Sequence, residues 1–411
     1  MEKRVFQAVT SSDEPPSANE ARNGLCHVLS LGMTKIADGL IDPKLVLSWL
    51  LTAIGAPALL VGLLVPIREA GALLPQVLFA PRVARMPIRK WVWAAGSAVQ
   101  GLAAAAICLV ALQFSGAAAG VLICASVAIL AVARSACSVS YKDILGKTVA
   151  KTRRGAVTGA AASVSAVGVM IFAGLLILEG GRSQTIVLLA IALASVLWIA
   201  AAAVFTRIEE ERSESQPEGA SVDFSILRRN PNLTRFIAAR GLLVSTALAP
   251  PYLVILNGTD GEFSKLGALV LASGLASLVS SWTWGRAADK SSRRVLMRSG
   301  VIGALGMLCA VALSLAGLAQ GLWAIPLVLF SVMIAYHGVR QGRSTYLVDI
   351  APEHERANWT AVANTVIGVL LLAVGAFGGV LSFLGPEAVL VLFGALSLAA
   401  AGVARGLTEA E

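Results

Sequence analysis

The 411-residue sequence predicts an all-α membrane protein with twelve transmembrane helices in two pseudo-symmetric six-helix bundles. Hydrophobic residues make up 57% of the chain and charged residues 14%, whereas soluble domains carry about 25% charged residues. The apolar residues also fall in runs near the roughly 20 residues that a helix needs to cross a bilayer. A third observation, a charge pattern that recurs half a chain later, indicates an internal duplication.

The runs are too long and too evenly apolar for the strands of a β-barrel, so helices are the remaining way to satisfy every backbone polar group in lipid. Their Ala, Gly and Ser residues suit closely packed helices. We predict spans at 45–65, 67–82, 91–113, 117–140, 155–178, 184–206, 231–256, 265–285, 295–317, 321–345, 357–382 and 387–405.

Lys and Arg residues sort by side under this arrangement. Of the 33, 27 fall at alternate loops on one side, three on the other and three within spans. The positive-inside rule then predicts that both termini are cytoplasmic, in a plasma membrane or a bacterial inner membrane. A nucleic-acid surface would instead gather the charges on one folded face, so the net charge of +9 does not indicate a nucleic-acid partner.

The segments outside the spans differ in character. Leu25, Leu29 and Met33 repeat at helical spacing opposite polar residues, which predicts an interfacial helix on the cytoplasmic leaflet. A short soluble helix that covers the underside of the protein is the alternative. The predicted division is a disordered cytoplasmic tail at 1–23, the amphipathic helix at 24–42, bundles at 43–206 and 231–405, a cytoplasmic linker at 207–230 and a tail at 406–411.

The duplicated pattern places an Arg nine residues before Asp-Ile near the end of spans four and ten, at Arg134 with Asp143 and at Arg340 with Asp349. The pattern repeats again at Arg154 and Arg356, each of which directly precedes the next predicted span. A charge in lipid costs about 2.5–3.5 kcal/mol on insertion scales and therefore usually marks function.

The loops after spans two and eight also resemble each other. The second contains Gly285, Asp289, Lys290, Arg293 and Arg294, in the order Gly-x-x-x-Asp-Lys-x-x-Arg-Arg. This order resembles the loop signature of the major facilitator superfamily, and the resemblance extends over about 45–405. In the first copy the basic residues remain, but Pro81 stands for the Gly and Arg85 for the Asp.

The resemblance implies two bundles that rock about a central cavity open to one side at a time. It also implies that Asp289 caps a neighbouring helix, for which the one starting near Arg356 is suitable. Asp143 and Asp349 could supply the acid that the first copy lacks. Arg293 and Arg294 could instead be topology charges only. The predicted gating set is Gly285, Asp289, Lys290, Arg293, Arg294, Arg134, Asp143, Arg340, Asp349 and Arg356.

Candidates for a solute or proton path concentrate in span ten, where His337, Arg340, Gln341 and Ser344 share one helical face, next to Tyr336. His337 could relay protons or simply bond a neighbouring helix. Arg134 and Arg340, expected about six residues inside the cytoplasmic ends of their spans, could pair with acids in a gate or contact an anionic solute.

Three further path candidates come from span two, and one comes from span seven. Arg68 and Glu69 are expected at the outer end of span two, Gln76 deeper in it, and Arg240 within span seven. No Asp or Glu falls at the centre of a predicted span. This disfavours an antiporter built around a buried carboxylate and favours an anionic or neutral solute.

The sequence therefore predicts a monomeric secondary transporter that moves a small solute by alternating access, with a proton gradient as one driving force. It shows no metal-ligand cluster, nucleotide fingerprint or catalytic set, so we expect no cofactor and no enzymatic activity. A transporter-like sensor that binds a partner without transport, or a lipid-modifying membrane enzyme, are the alternatives.

Overall fold

The computed structural model describes residues 2–10, 15–178, 183–212, 223–258, 264–352 and 355–409, and within them the chain is helical, without strands. The helices are α1 (Glu2–Thr10), α2 (Ala18–Leu40), α3 (Val46–Ala53), α4 (Ala58–Leu73), α5 (Gln76–Ala84), α6 (Lys90–Gln113), α7 (Gly116–Thr148), α8 (Arg154–Leu178), α9 (Ser183–Phe205), α10 (Ile226–Arg229), α11 (Pro231–Leu242), α12 (Val244–Leu248), α13 (Pro250–Asn257), α14 (Ser264–Lys290), α15 (Ser292–Leu315), α16 (Ala324–Ile350), α17 (Arg356–Leu381) and α18 (Pro386–Arg405).

Helix α2 lies inside the N-terminal group of helices, where it packs against α8 and α9. The interfacial position predicted for 24–42 is therefore wrong. Its polar residues His27, Ser30 and Thr34 are buried, while apolar Leu29 is 56% exposed. The polar face of α2 therefore turns into the protein, the opposite of a soluble helix.

The predicted boundary between spans one and two is also wrong. The first helix breaks after Leu40 and resumes as α3, and the chain turns at residues 54–57 before α4 begins. Helices α4 and α5 then form one kinked unit over Ala58–Ala84. The missed break moves Arg68 and Glu69 from the expected outer end of a span to the middle of this unit.

Most of the N-terminal segment is structured, contrary to the disordered tail predicted for 1–23. Helix α1 buries Phe6 completely, and the ring lies directly over Gly24 of α2. Ser17 caps α2, its hydroxyl accepting a hydrogen bond from the Glu20 N–H. Residues 1 and 11–14, and residues 213–222 of the predicted linker, lie outside the described residues.

The helices form two groups. In the N-terminal group α6 packs against α7 and α9, and α4 against α7; in the C-terminal group α15 packs against α16 and α18, and α14 against α16. Ten single helices or runs of consecutive helices in the described chain are long and apolar enough to cross a membrane. Helices α2–α3 and α14 are not among these ten.

The two groups meet along α4–α17 and α8–α14. On α17, Gly368 faces Leu74, and Gly375 lies so close to Pro66 that a Cβ there would come within 2.1 Å of the proline ring. Gly274 of α14 likewise faces Met170 of α8. Such small residues allow helix backbones to approach closely. The α4–α17 contacts lie towards the end of the molecule away from the chain termini.

Candidate functional site

A cavity of about 320 Å³ lies between the two helix groups. Its walls come from the α2–α3 break, α8, α14 and α16, so both groups contribute. The polar lining includes Asp42, Lys44, Tyr336, His337 and Arg340.

The break between α2 and α3 brings a lysine into this cavity. Pro43 cannot donate a backbone hydrogen bond, and residues 41–45 leave the helix. The freed groups find local partners: Ser48 donates to the Pro43 carbonyl at 2.7 Å, and the Lys44 N–H donates to Asp42 at 3.0 Å. Non-helical backbone at membrane depth is tolerated where it lines such a cavity.

The Lys44 ammonium contacts both groups. Its Nζ lies 2.9 Å from Glu69 Oε1 on α4. It also lies 4.8 Å from the centre of the Tyr336 ring on α16, within cation–π range. The Lys44 side chain is 8% exposed. Lys44 falls among the predicted cytoplasmic charges because the first predicted span begins at residue 45.

Asp38 joins three helices of the N-terminal group. Its two carboxylate oxygens lie 2.9 Å from Arg68 on α4 and 2.9 Å from Arg134 on α7. Asp38 is not among the predicted site residues, because the prediction places α2 on the membrane surface. The polar stripe of α2 is the sequence feature that could have indicated Asp38, had this stripe been taken to face the interior of the bundle.

A second, small pocket adjoins the first and shares Tyr336 and Arg340 with it. It is lined by Glu69, Arg240 and Arg343 as well. Arg240 is 5% exposed and donates from Nη2 to the Asn364 side-chain oxygen at 3.1 Å. Its Nε has no hydrogen-bond partner among the described residues.

Residues 28–335 match the family model of the Major Facilitator Superfamily. The chain belongs to the Major Facilitator Superfamily. The match begins inside α2, in agreement with a bundle that starts earlier than residue 43.

Solved structures of transporters share this superfamily fold. A point mutant of the nucleoside transporter NupG aligns with a TM-score of 0.71 at 12% identity, over 93% of this chain and 99% of its own. A D-xylose–proton symporter aligns at 0.70 and 12%, over 94% and 98%. A POT family transporter in complex with a peptide conjugate aligns at 0.70 and 13%, over 93% and 95%. No curated protein matches the sequence. The superfamily and these neighbours are transporters, not enzymes.

In this superfamily member, Asp143 reaches the loop that lacks the signature acid. It lies 2.7 Å from Arg89, just before α6. Glu210, beyond α9, also binds the start of α6. Its carboxylate accepts hydrogen bonds from the Arg89 and Lys90 backbone N–H groups at 2.9 and 2.7 Å. The start of α6 is thus capped by an anion from a distant part of the chain.

The second copy is arranged in parallel but more loosely. Glu409, beyond α18, accepts a hydrogen bond from Ser291 at 2.8 Å and lies 3.1 Å from Arg293 and 3.6 Å from Arg294. The Ser291 hydrogen bond, followed by the two guanidiniums, lowers the pKa of Glu409. Asp349 contacts Ser292 at 3.4 Å.

The remaining members of the predicted gating set are not brought together here. Arg356 donates to the Val348 carbonyl at 3.2 Å, between α17 and the end of α16. Gly285 and Lys290 lie on the last turns of α14, where a Cβ at Gly285 would meet nothing within 4 Å. The side chain of Asp289 lies outside the described residues, so its predicted capping role stays a prediction.

Several predicted path residues lie elsewhere than expected. Arg134 is near the middle of the 33-residue helix α7 and not close to its end. Gln341 does not line either pocket, and Gln76 donates to the Ala72 carbonyl of its own unit at 2.8 Å. Tyr336 and His337 do line the cavity.

The expectation that no acid lies at the centre of a span is wrong as well. Glu69 lies near the middle of the Ala58–Ala84 unit and lines the second pocket, because this unit begins earlier than the predicted span. Asp42, in the α2–α3 break, lines the first cavity. The structure is therefore compatible with a mechanism that uses a buried carboxylate.

Proposed function

We propose that this protein is a secondary transporter that moves a small solute through the cavity at Lys44 by alternating access. The observation that carries the proposal is the position of the Lys44 ammonium, which pairs with Glu69 in one helix group and contacts Tyr336 in the other. A solute bound there would touch both groups, so its binding energy would depend on how the groups are oriented.

The contacts between the groups support a cavity that opens towards the termini. Leu59, Pro66 and Leu74, at or near the α4–α5 unit, face glycines of α17 from the middle of that helix to its end, which lies away from the termini. At the other end the ion pairs described above join elements of one group, as in Asp143 with Arg89 and Glu409 with Arg293. Rocking about the cavity would exchange which end is closed.

We further propose that α2–α3 and α14 complete a set of twelve spans. Helix α2 packs among spanning helices, and the 27 residues of α14 extend over about 40 Å. Twelve spans place both termini on the same side, and the excess of Lys and Arg at that end assigns it to the cytoplasm.

Counterflow in proteoliposomes tests transport directly. Vesicles that hold an unlabelled solute should accumulate the labelled form, and Lys44→Gln should lower the initial rate at least tenfold because it removes the charge that contacts both groups. Lys142→Gln, a lysine at the basic end, is the matched control and should keep the wild-type rate. Tight binding of a solute without counterflow in the wild type would instead favour a sensor.

A proton gradient as driving force is a separate part of the proposal. His337 lines the cavity, and its buried Nε2 has no hydrogen-bond partner among the described residues. We expect His337→Ala to abolish uptake driven by an imposed pH gradient while counterflow persists. Proton-driven uptake that survives in this variant would remove His337 from the coupling mechanism.

A further inference from the structure

The cavity carries an excess of positive charge, and most of it belongs to the C-terminal group. Arg240, Arg340 and Arg343 surround the pocket next to Tyr336. Among the described residues, none of the three forms an ion pair with a carboxylate.

The two carboxylates nearby are already engaged. Glu69 pairs with the Lys44 ammonium, and Asp42 accepts the Lys44 N–H. The linings of the two pockets together hold four cations, namely Lys44 and the three arginines, against these two acids. The lining therefore has a net charge of +2 with neutral His337.

The positions of the arginines suit one ligand group. Arg340 and Arg343 are three residues apart on α16 and so lie on the same helix face. Arg240 approaches the same pocket from α11, and Asn364 on α17 orients its guanidinium. A guanidinium presents donors in a planar fork that matches the oxygens of a carboxylate or phosphate.

Burial makes the position of Arg240, which is 5% exposed, costly without a counter-charge. A guanidinium that leaves water loses its hydration, and a neutral Asn364 oxygen returns only one hydrogen bond. A dianion would balance the net charge of the lining, whereas a neutral solute would leave the arginines uncompensated and a cation would be repelled.

We propose that the cavity selects a small dianion, a dicarboxylate or a phosphate, with one anionic group held by Arg240, Arg340 and Arg343. This inference rests on the proposed function, since it names the class of solute for the same cavity. Lys44 belongs to the other helix group, where it can exchange its Glu69 partner for the second charge of the solute.

Charge-selective labelling tests the potential of the cavity without knowledge of the natural solute. The substitution Ser277→Cys introduces a thiol at a residue that lines the cavity. The same chain carries Cys309→Ser, which removes the exposed native thiol. The protein is placed in nanodiscs of phosphatidylcholine alone, so that no anionic lipid contributes. Rates are measured with the anionic sulfonatoethyl and the cationic trimethylammonioethyl methanethiosulfonates, relative to β-mercaptoethanol in the same buffer.

We expect the anionic reagent to be favoured on the order of tenfold, because a positive cavity concentrates anions. Arg340→Gln and Arg343→Gln should each reduce this preference, while Arg298→Gln, an arginine of α15 outside both pockets, should not. Equal rates for the two reagents in the parent chain would overturn the proposal.

Protection of the introduced thiol by added anions tests the dianion site separately from the transport function. Succinate or inorganic phosphate should slow the labelling of the Ser277→Cys chain, and uncharged butane-1,4-diol should not; protection by neither anion contradicts the dianion site. Protection by succinate in a protein that shows no counterflow would keep the anion site and remove transport. Counterflow of an uncharged solute, without protection by anions, would keep the transport function and remove the anion site.

Discussion

The two halves of this transporter repeat one arrangement but balance its charges differently. Arg134 and Arg340 occupy corresponding positions on α7 and α16, 206 residues apart. In the N-terminal half the first helix supplies Asp38, which pairs with Arg134 and Arg68. In the C-terminal half the first helix supplies another cation, Arg240, and Arg340 faces the cavity. One half thus has paired charges, whereas the other presents its arginines to the cavity.

The basic ends of the halves show the same contrast. Glu210 and Glu409 each lie just beyond the last helix of a half and bind the residues that begin the third helix of that half. The Glu210 side chain is fully buried, however, whereas Glu409 is 42% exposed. The N-terminal contact is therefore the more strongly held of the two.

The largest effect is expected for Asp38→Asn, which would leave Arg68 and Arg134 without their shared carboxylate. We expect unfolding to become easier by about 3 kcal/mol, the lower end of the range for a buried pair that loses one partner, because Asp38 is 26% exposed. Thermal unfolding in detergent measures it. Asp223→Asn, at an exposed ion pair, is the control; equal losses in the two variants would contradict a structural role for Asp38.

The next largest effect is expected for Glu210→Gln. The substitution removes the charge that caps α6 and pairs with Lys147, at a cost of about 2 kcal/mol for buried hydrogen bonds to an ionised group. Glu409→Gln is the matched variant in the other half and should change the unfolding midpoint far less. A larger loss in Glu409→Gln would reverse our ranking of the two contacts.

Arg240→Met should change stability by no more than about 1 kcal/mol, since replacing a buried charge that has no ionic partner by an apolar side chain is often neutral. The loss of its bond to Asn364 offsets the gain from removing the charge. The same unfolding assay checks this. A loss as large as that of Asp38→Asn would show that Arg240 has a structural role like that of Asp38.

The smallest effect concerns pH and the C-terminal tail. Because the pKa of Glu409 is lowered in the folded protein, its contact with Ser291 stabilises the tail above the unfolded pKa of about 4.3 and is lost as pH falls further. Proteolytic release of a C-terminal tag should therefore accelerate below that pH. The Glu409→Gln variant should show fast release at every pH, and release that is independent of pH in the wild type would contradict the assignment.

Much of the bundle could be predicted from sequence, but the first helix could not. The runs from 91 onwards predicted helices α6, α8, α9, α15, α17 and α18 closely, because a long apolar stretch has few alternatives in lipid. Helices α7 and α16 continue past their predicted spans, to Thr148 and Ile350. Helix α2 carries Asp38, Lys35 and His27, so its low hydropathy resembled a surface helix. The helical spacing of polar and apolar residues does not show whether the polar face is turned to water or to the interior of a bundle.

The sequence by itself determined the helical membrane class and the repeated charge pattern, because these follow from hydropathy and charge along the chain. Only the tertiary structure decided which charges meet. Asp38 finds Arg134, and Lys44 finds Glu69 and Tyr336, all of them far from one another along the chain. Such pairs depend on how the helices pack in three dimensions, and the position of a residue along its own helix does not record which neighbour it will face.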